Sequence, residues 1–215
     1  VDNIVGSVRR IVPVSIGGDI TQGSKWIRPT MLKMWVDQDF ETKLRSATDT
    51  FEVQAFFIFD GTSLVSKTWT ILAGAKQAEV RATLGEVRAW LLAPQDKKTE
   101  SAIGFGILNG LALRAKNNLR GGKVIIVSDG IENRGALKFY LGRDNPSDLD
   151  PGRWPAYTKQ IIDSNSTPCT QLYGAEVDWY SPPTPTMGDL VHQTAKFWRN
   201  FLETECGAGK FTHHP

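Results

Sequence analysis

Predominantly apolar runs alternate along this chain with segments of helical spacing. Runs at residues 11–16, 51–59 and 124–127 predict strands. The third run, Val-Ile-Ile-Val, is typical of a strand buried on both faces at the centre of a parallel sheet. Ser128-Asp129-Gly130 ends it. An Asp-Gly pair there is either an ordinary turn or part of the edge at which open α/β sheets hold ligands.

Helical spacing of apolar residues accounts for much of the remaining chain. Helices are predicted over residues 25–45, 78–92, 103–115, 157–163 and 187–205. A strand over 64–72 follows the strand over 51–59 closely enough to form a hairpin, and 172–180 is predicted as the last strand. The long polar stretch 132–154 is predicted to contain one short helix around 136–141.

This order of elements predicts a three-layer α/β/α fold. Helical crossovers make the central sheet mostly parallel, and the hairpin adds one antiparallel edge strand. Residues 1–215 are predicted to form a single domain, with a core over about 9–207 and an insertion over about 132–154. The hydrophobic content of 40% is enough to fill a core of this size.

Charge and the length of apolar runs exclude two classes of partner. The net charge is +2, and the basic residues are scattered without a block, so no nucleic acid partner is predicted. No run approaches the roughly 20 apolar residues of a membrane-spanning helix, so no membrane span is predicted.

Three polar loops are predicted to meet at one edge of the sheet, because right-handed crossovers place the carboxyl ends of parallel strands together. They contain Asp19, Thr21 and Ser24 in the first loop, Thr99 and Ser101 in the second, and Ser128 and Asp129 in the third. Carboxylates and hydroxyls without His or Cys favour a hard cation, Mg²⁺ by preference. So few carboxylates leave coordination positions for water and for an outside ligand.

Three short motifs resemble the von Willebrand factor A domain. Val124–Asn133 is similar to the fourth strand of that family, whose Asp contacts the metal through water; here this residue is Asp129. Ser101–Ile107 resembles the family's Thr-x-Ile-Gly-x-Ala-Leu segment, with Ser in place of the metal-binding Thr. Asp19-Ile-Thr21 resembles the start of the Asp-x-Ser-x-Ser motif of the metal-ion-dependent adhesion site.

The chain departs from the family pattern at two positions. The second hydroxyl should lie four residues after Asp19, where this chain has Gly23, and Ser24 comes one residue late. Ser101 replaces the Thr, and Thr99 lies two residues earlier. The resemblance nevertheless implies a Mg²⁺ or Mn²⁺ site built from Asp19, Thr21, Ser24, Thr99, Ser101 and Asp129.

The resemblance covers roughly residues 9–207 and implies a non-enzymatic role in adhesion or protein–protein interaction. The cation would keep an open position for an Asp or Glu carboxylate of a partner protein, and no bond would be broken. The segment 132–154 is the candidate for partner specificity because of its length. The alternative is a metal-free scaffold that keeps the fold and binds through its surface.

A nucleotide hydrolase is a further alternative. Gly18–Lys25 resembles a Walker A loop between a strand and a helix, and the strand before Asp129 could serve as its Walker B partner. However, Lys25 comes one place late, and Trp26 stands where the magnesium-binding hydroxyl belongs. This order of residues disfavours phosphate binding.

Other hydrolytic chemistry has little support in the sequence. The chain has no Gly-x-Ser-x-Gly elbow. Its three histidines are His192 in the last predicted helix and His213 and His214 in the tail. The carboxylates of Asp60, Asp129 and Glu132 are predicted to be solvated loop groups rather than an acid–base pair. The domain is therefore predicted not to be an enzyme.

The two cysteines leave two possibilities open. Their spacing fits no zinc site. Cys169 is predicted just before the last strand and Cys206 at the end of the last helix, so both lie at the edge opposite the candidate site. They are either a disulfide or two buried free thiols. A disulfide would favour an extracytoplasmic location, secreted or periplasmic; otherwise the sequence leaves the location unknown.

Overall fold

The structure is a computed structural model of the chain. It describes residues 10–19, 27–58, 65–94, 102–112, 114, 119–134, 137–139, 149–164, 169–182 and 188–215. The strands are β1 (Arg10–Asp19), β2 (Asp49–Ile58), β3 (Ser66–Ile71), β4 (Lys123–Val127), β5 (Asn133–Arg134), β6 (Leu137–Lys138), β7 (Glu176–Tyr180) and β8 (Lys210–His214).

Six of these strands form one sheet in the order β3-β2-β1-β4-β7-β8. Every neighbouring pair is parallel except β2 and β3, which are antiparallel. The predicted fold class, a mostly parallel sheet with one antiparallel edge strand, is therefore confirmed. The register places Gly18 beside Val127, so β1 and β4 end next to each other. β5 and β6 form a separate two-stranded ladder.

Helices cover both faces of the sheet. They are α1 (Ile27–Gln38), α2 (Phe40–Lys43), α3 (Gln77–Leu92), α4 (Ile103–Gly110), α5 (Trp154–Asp163) and α6 (Gly188–Asn200), with 3₁₀ turns at Pro151–Arg153 and Cys169–Leu172 and a π-helical turn at Phe201–Glu205. One core lies under α1 to α3, and the other under α4 to α6. Among the described helices, none is long and apolar enough to span a membrane.

Strand β4 is buried on both faces, as its apolar run predicts. Val124 and Ile126 belong to the core under α4 to α6, whereas Ile125 and Val127 belong to the core under α1 to α3. All four side chains are at most 1% exposed. Successive side chains of a strand point to opposite faces of the sheet, so one uninterrupted apolar run contributes to both cores.

Two predicted helices differ from the structure. The helix over 25–45 is interrupted after Gln38, because Asp39 adopts a left-handed conformation with φ 44° and ψ 54°, and a short second helix follows. A helix was expected around 136–141, but the described residues Leu137–Lys138 lie in β6. Hydrogen bonding between β5 and β6 overrides the weak helical pattern of this polar segment.

The sheet continues beyond the strand that the sequence predicts as the last one. β8 adds a parallel edge strand, so the prediction of a tail around His213 and His214 was wrong. His213 Nε2 lies 3.0 Å from Ser181 Oγ, and His214 Nε2 lies 3.0 Å from Asp178 Oδ1. Both histidines therefore contact β7 or the residue after it, and β8 is fixed by pairing rather than by an apolar pattern of its own.

Candidate functional site

Asp19 and Asp129 lie at the carboxyl ends of two neighbouring parallel strands. Asp19 is the last residue of β1 and is only 1% exposed, and Asp129 is the second residue after β4. Ser128 Oγ donates a hydrogen bond of 3.0 Å to Asp19 Oδ2. The structure thus brings together two of the six predicted ligand residues, and it adds the hydroxyl of Ser128 as a contact of Asp19.

Ser128 is the residue that connects the two loops. It is fully buried, and its Oγ also accepts a hydrogen bond of 3.0 Å from the backbone N–H of Gly130. The sequence placed Ser128 at this edge but not among the predicted ligands. Its position directly before Asp129, in the same motif, is the signal that could have identified it.

The pKa of the Asp129 carboxyl group is raised well above its ordinary value. Burial raises the pKa of Asp129, and the nearby charge of Asp19 raises it further, to about 7; a hydrogen bond from the backbone N–H of Ile131 opposes this shift. That N–H lies 2.9 Å from Asp129 Oδ1. Two carboxylates that share a buried edge repel each other when both are ionised. A cation between them would remove this repulsion.

Three consecutive carbonyl groups of the loop after β4 accept hydrogen bonds from side chains in the core. Trp179 Nε1 donates to Ser128 O at 3.0 Å, and Trp198 Nε1 donates to Gly130 O at 2.8 Å. The Thr194 hydroxyl lies 3.0 Å from Asp129 O and 2.8 Å from Val191 O, so its single hydrogen is shared between them. The two indole rings stack with 5.6 Å between their centroids. The tryptophans and Thr194 occupy core positions in the hydrophobic pattern, and this pattern does not show that they support the site.

We expect Trp198→Phe to destabilise the domain by about 1–2 kcal/mol, because it leaves the buried carbonyl of Gly130 without its donor. Urea unfolding of the purified variant measures this change. Trp154→Phe is the matched control, since it also removes an indole donor, to Leu149 O, but at a partly buried position away from this loop. An equal or smaller loss for Trp198→Phe than for the control would contradict the expectation.

Glu132 connects the same loop to α4. Its side chain is 2% exposed, and Oε2 accepts a hydrogen bond of 2.9 Å from the backbone N–H of Gly104 in the first turn of that helix. Its carbonyl oxygen accepts from the N–H of Phe139 at 3.0 Å. The prediction that Glu132 is a solvated loop carboxylate was therefore wrong. The residue positions the start of α4, which lies two residues after Ser101.

The remaining predicted ligands, Thr21, Ser24, Thr99 and Ser101, lie outside the described residues. The same holds for Lys25 and Trp26, on which the nucleotide interpretation depends, and for Asp60. Within the described ranges, no group of three or more His, Cys, Asp and Glu side chains is arranged to hold a metal ion. The described donors are two carboxylates and one hydroxyl, an oxygen set that suits Mg²⁺ or Mn²⁺.

The strand order decides the fold. Within the described sheet, β1 lies between β2 and β4, β3 is antiparallel at one edge, and β8 is parallel at the other. The chain has a von Willebrand factor A-like fold. The resemblance seen in the three sequence motifs is thus confirmed for the fold, and the polar edge at β1 and β4 is where that resemblance placed the metal site.

No protein-family model and no curated protein matches this sequence. Among solved structures, the pilus adhesin SpaC from Lactobacillus rhamnosus GG matches with 14% identity and a TM-score of 0.47, over 94% of this chain and 28% of that chain. Manganese-loaded TRAP protein from Plasmodium vivax matches with 11% identity and a TM-score of 0.43, over 96% and 69%. A von Willebrand factor type A protein from Catenulispora acidiphila matches with 11% identity and a TM-score of 0.38, over 92% and 42%.

The chain spans less than a third of the length of the SpaC chain that it matches. At 11–14% identity, these likenesses concern the fold alone. The function of this chain must therefore be inferred from the side chains at the edge of the sheet.

Proposed function

We propose that this domain binds another protein, and that a Mg²⁺ or Mn²⁺ ion at the edge formed by Asp19 and Asp129 takes part in the binding. The observation that carries the proposal is the pair of interacting carboxylates, Asp19 and Asp129, at the ends of β1 and β4, with Ser128 Oγ bonded to Asp19. In this proposal the domain is a binding module and not an enzyme. Thr21, Ser24, Thr99 and Ser101 are the further candidate ligands.

The electrostatics of the edge support a cation there. The pKa of Asp129 is raised to about 7 by burial and by Asp19, so the doubly ionised pair is unfavourable without a counter-charge. A bound divalent ion supplies this charge together with an open coordination position, which a carboxylate of the partner can fill. Ser128 orients Asp19, and the three core donors keep the loop after β4 in place for this role.

Calorimetric titration with MnCl₂ or MgCl₂ tests the metal site. We expect one ion per domain, and we expect Asp19→Asn and Asp129→Asn each to weaken binding by at least about tenfold, because each removes a charged ligand. Asp37→Asn is the matched control, since Asp37 is an exposed carboxylate paired with Lys33 on α1. Absence of binding at millimolar metal, or equal affinity in all three variants, would refute the site.

A pull-down with and without a chelator tests the binding function. Capture of a partner that is lost with chelator and in Asp19→Asn supports metal-dependent recognition. Capture that is unaffected by both identifies the domain as a metal-free scaffold of the same fold. Calorimetry with ATP, for the natural chain and Lys25→Ala, tests the nucleotide alternative: binding that depends on Lys25 would replace our proposal.

A further inference from the structure

The two cysteines of this chain lie against each other in the core. Cys169 opens the 3₁₀ turn before β7, and Cys206 follows the π-helical turn after α6. Both are free thiols, 7% and 1% exposed, and both belong to the core under α4 to α6. Cys169 Sγ also lies 3.5 Å from the carbonyl oxygen of Glu205. The structure thus places Cys169 beside the residue that precedes Cys206, at the edge where the sequence predicts both cysteines.

Backbone contacts hold the two cysteine turns together independently of the thiols. The N–H of Gly174 donates to Gly207 O at 2.8 Å, and the N–H of Gly209 donates to Ala175 O at 2.9 Å. Gly207 has φ +71°, and a Cβ there would lie 2.9 Å from Tyr173 Cδ2. The two turns are thus held next to each other by the backbone.

We propose that Cys169 and Cys206 form a reversible redox site, which a small-molecule disulfide such as oxidised glutathione converts into an intramolecular disulfide. The Cys169 thiolate attacks one sulfur of the oxidant, and a mixed disulfide forms as one glutathione thiolate leaves. The Cys206 thiolate then displaces the second glutathione thiolate and closes the Cys169–Cys206 bond. Two protein thiols are oxidised, one glutathione disulfide is reduced, and the two protons end on the released glutathione thiols.

Cys169 reacts first for two reasons. It is the more exposed of the two, and the hydrogen bond from Cys206 lowers the pKa of the Cys169 thiol. Burial instead raises the pKa of the Cys206 thiol. Cys169 is thereby the better suited of the two to attack, and Cys206 would resolve the mixed disulfide because of its proximity rather than its acidity.

The disulfide would tie the 3₁₀ turn before β7 to the end of the π-helical turn that follows α6. Helix α6 also carries Thr194 and Trp198, which hold the carbonyl groups of Asp129 and Gly130. Oxidation would therefore restrict the helix that supports the candidate site. The redox site itself does not depend on the proposed function.

Oxidation of the intact folded chain with oxidised glutathione tests the proposal. Non-reducing mass spectrometry should show the loss of two hydrogen atoms and a cross-link between the peptides that contain Cys169 and Cys206, and dithiothreitol should reverse both. The oxidised form should unfold at a temperature about 5–10 °C higher than the reduced form. Two unmodified thiols, or a cross-link that forms only in denaturant, would overturn the proposal.

Two variants test the order of attack. Cys206→Ser should stop at one glutathione on Cys169, whereas Cys169→Ser should leave Cys206 unmodified under the same conditions. The opposite pattern would overturn the assignment of the attacking cysteine. Thermal unfolding of each reduced variant verifies folding, and the cross-link in the natural chain decides the main proposal without either variant.

Discussion

Replacing Gly122 with Ala should lower the free energy of unfolding by about 3–5 kcal/mol. Gly122 precedes β4 with φ +70°, and a Cβ at this position would lie 2.1 Å from the carbonyl oxygen of Pro13. That atom belongs to β1, and Gly122 O accepts a hydrogen bond of 2.9 Å from the N–H of Glu176. Because both sides of the contact are backbone held in the sheet, neither can move away cheaply.

Gly121→Ala is the matched control for this substitution. Gly121 also has a left-handed φ, +67°, but the nearest atom to its added Cβ is Gly174 O at 3.9 Å. We therefore expect only the cost of the left-handed conformation, about 1 kcal/mol. Chemical unfolding of both variants measures the difference, which isolates the collision with Pro13. An equal loss of unfolding free energy in the two variants would contradict the prediction, because it would mean that β1 and β4 can move apart cheaply at Gly122.

Asp129→Asn should stabilise the metal-free domain by about 2–4 kcal/mol at pH 8. The pKa of Asp129 is raised from 3.8 to about 7 in the folded chain, so the folded state binds this proton more tightly than the unfolded state does. The contribution of Asp129 to the free energy of unfolding is largest below about pH 4, and it is lost as the pH rises through about 7. Asn is neutral at every pH and still offers an acceptor to the N–H of Ile131.

Urea unfolding between pH 4.5 and 8, with a chelator present, measures this effect. The natural chain should lose stability relative to Asp129→Asn as the pH rises, and the two should converge at the acid end. Asp37→Asn, at an exposed carboxylate, should follow the natural chain throughout. With Mn²⁺ in place of chelator, the gap at pH 8 should narrow, because the natural chain binds the ion at least about tenfold more tightly than Asp129→Asn does. A gap that is independent of pH would contradict the assigned pKa.

The central sheet could be predicted because its strands carry their own signals. The run from Val124 to Val127 is apolar at every position and supplies both cores, so its burial follows from composition. The hairpin of β2 and β3 follows from two strand patterns with a short segment between them. The break at Asp39 could not be predicted, since helical spacing continues across it and the left-handed residue is not glycine.

Strand β8 and much of the site depend on contacts between distant residues. The sequence Lys-Phe-Thr-His-His has one large apolar residue, and it becomes a strand because β7 offers it a partner. Asp129 was found through its motif. Ser128 bonds to a residue 109 positions away, and Glu132 bonds to one 28 positions away, and no local pattern encodes either contact.

The pairing of β1 with β4 also has a consequence for folding during synthesis. Asp19 and Ser128, whose side chains bond between β1 and β4, are 109 positions apart. Their contact can therefore form only when a long loop of chain closes. At about 5–20 residues per second, a ribosome would take on the order of 5–20 s to add β4 after β1 has emerged. During that interval one long edge of β1 has no partner and is open to pairing with other nascent chains. The edge with Asp19 and Asp129 is thus completed only after β4 has been synthesised. Until then, β1 is the strand that a chaperone would have to protect.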